Sequence, residues 1–88
     1  MNPSDKRLAD EARSLKAVMN VGKNGLTAGA VALLRRELDQ KRLIKVKILK
    51  GYLDASGKDR KEAAAEIASL GQARLVQLVG YAAVLYKI

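Results

Sequence analysis

The 88-residue chain has no cysteine and no histidine, one proline, and neither phenylalanine nor tryptophan. Without cysteine there can be no disulfide and no thiolate chemistry. With histidine missing as well, the side chains that hold zinc are absent, and so are the usual acid, base and nucleophile at neutral pH. No metal or other cofactor is expected, and no catalytic residue. Long apolar runs are also lacking. The most apolar stretch, residues 75–86, is far shorter than the ~20 residues that span a membrane. The first residues show no basic stretch followed by an apolar one, so no signal peptide is expected. These absences together predict a soluble, cytoplasmic binding protein with no membrane partner.

Charge of one sign is abundant. Lys and Arg total 17 against 9 Asp and Glu, a formal net charge of +8. That excess on so short a chain points to a polyanionic partner, nucleic acid first and an acidic membrane surface second. Half the residues are apolar (49%), which is normal for a folded domain and too many for a disordered tail. The length suits one domain over residues 1–88.

Seven elements are predicted. Pro3 and Ser4 open a first helix, with Ser4 as N-cap and Leu8, Ala12 and Leu15 as its apolar stripe. Val18-Met19-Asn20-Val21 is a short strand that runs into Gly22-Lys23-Asn24-Gly25. Thr27 caps a second helix whose buried side carries Val31, Leu34 and Leu38. Residues 43–49 form the clearest strand: Ile44, Val46 and Ile48 face one way, Lys45 and Lys47 the other. Residues 51–57 read as a loop. A third helix runs from about Asp59 to Leu70, with Gly71 as the left-handed residue that ends it. Residues 74–79 and 83–87 form two strands that reverse at Gly80-Tyr81. Alternating strands and helices imply a partly parallel sheet. The expected architecture is α/β (α+β): a two-layer sandwich with a mixed four-stranded sheet, helices on one face and the other face largely open.

Three patterns bear on function. Residues 51–59 superficially match a phosphate-binding P-loop, but five residues separate the glycines where four are required. Asp59 also stands where Ser or Thr must meet magnesium. The carboxylates form no catalytic pair; Glu62 and Glu66 read as exposed acids on one helix. Gly22-Lys23-Asn24-Gly25 is the informative element. Glycines at both ends let a main chain approach a phosphodiester strand without Cβ clashes. The helix start after it, capped by Thr27, offers free amides to phosphate. An ordinary turn is the plain alternative. Lys45 and Lys47 add charge on one sheet face, and the plain alternative there is a soluble open face. Only Tyr52, Tyr81 and Tyr86 are aromatic. Tyr81 beside the last turn is the one stacking candidate, though a core or rim position is expected for it. The chain therefore reads as a backbone binder more than a base reader.

The blocks Val21-Gly22-Lys23-Asn24-Gly25-Leu26-Thr27, Leu43-Ile44-Lys45-Val46-Lys47-Ile48, Val76-Gln77-Leu78-Val79-Gly80 and Val84-Leu85-Tyr86 together resemble the CRM domain (chloroplast RNA splicing and ribosome maturation) in its stand-alone, YhbY-like form. The resemblance implies an RNA-binding module with a fold like the C-terminal domain of initiation factor 3 and a KH-like GxxG loop. It implies structured RNA as partner: ribosomal RNA or precursors of the large ribosomal subunit for stand-alone members, introns for relatives that assist splicing. By this likeness the RNA-binding loop is Gly22, Lys23, Asn24 and Gly25, with a basic surface on Lys16, Lys45, Lys47, Arg60 and Lys61; Thr27, at the helix start after the loop, completes the expected site. Ala17 departs from the pattern, since the family often has proline there. Other readings of the charge and the open sheet face are a general DNA-binding protein and a protein-interaction module in which Leu43, Leu49, Leu75 and Val79 join Lys45 and Lys47.

Overall fold

The computed structural model describes residues 3–88. In chain order these form α1 (Pro3–Ala12), β1 (Met19–Val21), α2 (Ala28–Lys41), β2 (Leu43–Ile48), α3 (Lys50–Ser56), α4 (Arg60–Gly71), β3 (Ala73–Val79) and β4 (Ala82–Lys87). The sheet order is β1-β2-β4-β3. β1 and β2 are parallel, as the α2 crossover between them requires. β2–β4 and β3–β4 are antiparallel. The expected mixed four-stranded α+β architecture is thus present.

The two-residue period of β2 decides which side of the sheet is the core. Ile44, Val46 and Ile48 are buried together with Leu85 and Ala83 of β4, under Leu34 and Leu38 of α2 and Ile67 of α4. Fully burying a side chain of this size contributes about 1.5–3 kcal/mol, so this layer supplies most of the stability. The second face carries Leu43, Lys45 and Lys47, opposite Tyr86, Val84 and Ala82. A register shift between Leu75 and Gln77 inserts one extra residue in β3. Both Val76 and Gln77 therefore fall on the second face, and Leu78 returns to the core beside Ala83.

Four expectations are corrected. The second face is not largely open: Ala9 and Ala12 of α1 pack on Val76 and Val84, with Leu8, Leu43 and Tyr86 around them, and Asp5 pairs with Arg74 of β3 at 2.7 Å. That cover takes Leu43, and the main core takes Leu75, from the apolar surface imagined for a protein-interaction module, whereas Val79 stays exposed. Leu15 does not extend the α1 stripe. The helix ends at Ala12, and Leu15 is 37% exposed. Residues 51–57 are not a loop but mostly α3, closed by Gly57 in the left-handed region (φ 72°). Gly71 is not the left-handed residue after α4. Gln72 takes that role (φ 54°), and Gly71 is buried inside the helix. A Cβ on Gly71 would stand 3.0 Å from both Leu34 and Leu38, so the missing side chain is what lets α4 approach α2. Arg35 Nε donates to Leu70 O at the same contact (2.9 Å).

Candidate nucleic-acid interface

β1 delivers the chain to a turn at one end of the sheet. The Gly25 amide donates to Gly22 O at 2.9 Å, and Gly25 sits at φ 70°, a conformation that strongly favours glycine. Lys23 and Asn24, at the tip, are exposed. α3 forms the floor beneath this turn. The Leu49 amide donates to Val21 O (2.9 Å). A Cβ on Gly22 would lie 3.4 Å from Leu49 Cδ1, and one on Gly25 would lie 3.6 Å from the Tyr52 ring. Gly51 faces the Lys23 main chain, where a Cβ would meet the amide nitrogen at 3.5 Å. Leu49, Gly51 and Tyr52 are thus part of the site, and sequence reasoning missed them. The i, i+3, i+4 apolar spacing of Leu49, Tyr52 and Leu53 was the available signal. It was masked by the flanking glycines.

The floor is tied to the core. The Tyr52 hydroxyl donates to Glu66 Oε1 at 2.5 Å, and Lys58 Nζ pairs with Glu66 Oε2. Glu66 is therefore not a free exposed acid, as the sequence suggested, but the half-buried link between α3 and α4. Burial raises the pKa of the Tyr52 hydroxyl above its usual value of 10.0.

Two longer helices begin at this same end, and they differ. α4 is closed by a capping box: Asp59 accepts from the Glu62 amide (2.8 Å) and Glu62 reaches back to the Asp59 amide (3.2 Å). Its positive dipole end is occupied by two carboxylates. α2 is capped by neutral Thr27, whose Oγ1 accepts from the Ala30 amide (3.1 Å), and its first turn holds no acid. The uncompensated helix start is the one that follows Gly25.

The predicted basic residues divide into two groups. Lys47 lies at the loop end of β2, in register with Asn20 and Ala82. Arg60 and Lys61 open α4 at the same end, and Arg60 Nη1 donates to Gly80 O in the β3–β4 turn (2.8 Å). These three accompany Lys23 and Asn24. Lys45 is half-buried on the second face and lines a cleft with Arg13 of the segment after α1. Lys16 lies in that segment too, ahead of β1. Neither belongs to the loop end. Lys50, unanticipated, does: it shares a small cleft with Lys47 and Tyr81. Among the described residues Lys23, Lys47, Lys50 and Lys61 have no ion-pair partner, whereas Asp5, Asp10, Asp39, Glu37 and Glu66 are each paired with other cations. The cations at the loop end outnumber its acids, Asp54 of α3 and Asp59 and Glu62 at the start of α4. The same residues offer nothing to a metal: no group of acidic side chains among the described residues is placed to hold one.

A family model for the CRS1 / YhbY (CRM) domain matches residues 2–87. The chain belongs to this family. The Pseudomonas aeruginosa protein named probable RNA-binding protein PA4753 is 38% identical over 73 residues. That match covers 83% of this chain and 66% of the relative, so the chain spans just under two thirds of the curated relative's length. Among solved structures, the solution structure of the hypothetical protein SAV1595 from Staphylococcus aureus, described as a candidate RNA-binding protein, superposes with a TM-score of 0.77 at 26% identity. It covers 96% of this chain and 83% of that one. The CRM fold therefore extends across the sheet, the loop and the α3 floor.

Proposed function

We propose that this CRM domain is an RNA-binding module that holds a sugar-phosphate strand against the loop of Gly22, Lys23, Asn24 and Gly25 and the start of α2. One observation carries the reading: an exposed turn with a Cβ-free residue at each end leads into an acid-free helix start, on a rim whose lysines have no acidic partners. The glycines let the turn lie close on Leu49 and Tyr52 of its floor, which holds its tip outward; the amides and helix dipole favour phosphate, and the lysines add a salt-dependent attraction. Lys47, Arg60 and Lys61 flank the docked strand, and Lys16 and Lys45 extend the positive surface over the second face. The names of the relatives favour RNA over DNA. Ribosomal RNA in precursors of the large subunit is the target we infer, on the family likeness, and the cytoplasm is the place of action. No chemical step is involved.

The test is a salt titration of binding to a structured ribosomal RNA fragment, with duplex DNA as competitor. Lys23→Ala should weaken binding to all sequences alike and lower the slope of log K against log salt by about one unit. Changing Lys23 and Asn24 together to Asp should abolish binding while the thermal midpoint stays within a degree or two. Undiminished binding by that double variant, or equal competition by DNA, would defeat the proposal.

A further inference from the structure

The last turn of the sheet carries a feature that phosphate docking does not use. Tyr81 is 53% exposed, although the chain has only three aromatic residues. Tyr52 is buried under the loop and Tyr86 packs against the α1 cluster. A core or rim place was expected for Tyr81, and it stands on the rim, more than half exposed. Its mounting is rigid. The Ile48 amide donates to Tyr81 O at 2.7 Å, and the neighbouring Gly80 O accepts from Arg60 at 2.8 Å. The turn is thus held from β2 on one side and from α4 on the other.

The surroundings define what the ring suits. Tyr81 lines a cleft with Ile48, Leu49, Lys47 and Lys50. Leu49 and Gly51, on either side of Lys50, contact the loop of Gly22 and Lys23 directly. The cleft therefore continues the phosphate-binding rim. An exposed ring, an apolar wall and two ammonium groups match the parts of one unpaired nucleotide: a flat base and a flanking phosphate. Lys47 and Lys50 have no ion-pair partner among the described residues, which leaves both ammonium groups for that phosphate.

We propose that Tyr81 is the stacking platform for one unpaired base of the bound RNA, with Lys47 and Lys50 on its phosphates. This inference rests on the RNA-binding reading above and adds to it a preference for a single-stranded nucleotide next to the strand held at the loop. It makes the domain more than a backbone binder.

The test uses the full chain, a hairpin RNA with a single-stranded flank, and a set of the same RNA with one abasic nucleotide at each flank position in turn. Tyr81→Ala should weaken binding about tenfold and Tyr81→Phe should bind like the parent, because stacking needs the ring and not the hydroxyl. At one flank position the abasic RNA should lose a similar factor with the parent protein and lose nothing further with Tyr81→Ala. Tyr81→Ala should leave the salt slope unchanged, whereas Lys50→Gln should lower it by roughly 0.7. If the parent binds RNA and Tyr81→Ala binds equally well, or loses affinity equally with every abasic RNA, the stacking role is overturned while the loop reading stands. If the parent binds none of these RNAs, both are overturned.

Discussion

Two glycines on the helices of this domain should respond to alanine with opposite signs. Gly51 is in the first turn of α3, with its nearest neighbours across the gap at 3.5 Å, an ordinary contact distance for a new methyl group. Replacing glycine in a helix without strain gains about 0.4–1 kcal/mol. Gly71 ends α4, where a methyl group would meet Leu34 Cδ2 and Leu38 Cδ1 at 3.0 Å. Both leucines are fully buried and cannot swing into solvent. Overpacking of this kind costs about 1–3 kcal/mol, so after the helix gain a net loss of about 1–2 kcal/mol remains. For a domain of this size each kcal/mol moves the thermal midpoint by about 4–8 °C. Gly51→Ala should therefore melt about 2–8 °C higher than the parent and Gly71→Ala about 4–16 °C lower. Thermal unfolding followed by circular dichroism reads both, and urea unfolding should show unchanged m values. A Gly71→Ala variant as stable as the parent would mean that α2 and α4 yield easily, and that the empty position is not what sets their approach. A destabilised Gly51→Ala variant would mean that α3 presses harder on the loop than its contact distances indicate.

Tyr52→Phe should cost about 1 kcal/mol at neutral pH, since Glu66 loses one donor but keeps Lys58. It should also alter the alkaline limb. The raised Tyr52 pKa means the folded state holds that proton more tightly than the unfolded chain, so its stabilisation is complete below about pH 10 and fades as pH rises through the folded value. The parent should thus lose more stability than Tyr52→Phe between pH 8 and pH 11 in urea titrations, and parallel losses would refute the burial argument. Asp59→Ala should lower stability by about 1 kcal/mol through loss of the α4 cap, and Asp59→Asn should retain most of it; equal melting of Asp59→Ala and the parent would refute the capping role.

The parts of the fold that were legible from sequence are those with strong local signals. The alternation in β2, the Thr27 cap and the Gly80-Tyr81 reversal each state their structure within a few residues. α3 was hidden because its seven residues, Gly51 among them, are too few to form a helix unaided. What holds them is Tyr52 under the loop and Leu53 in the core, contacts with residues far away in the chain. The side of the sheet that α1 covers was equally out of reach, because Leu8 and Ala12 show an apolar stripe but not its partner. The extra residue in β3 leaves no local mark at all. At the site, the loop and its cations could be read from residue types and the likeness to CRM domains. The floor could not, nor could the pairing of acids with other cations that leaves the loop end positive.

The acid-free start of α2 sets a floor that no exchange of the rim lysines can lower. Lysine replacements around the rim subtract charges one by one, yet the peptide dipoles behind Gly25 remain, owned by no residue. A fully lysine-stripped rim would keep a weak pull on anions that ignores alkaline titration. Only a carboxylate placed in the first turn of that helix, as α4 already has, would extinguish it.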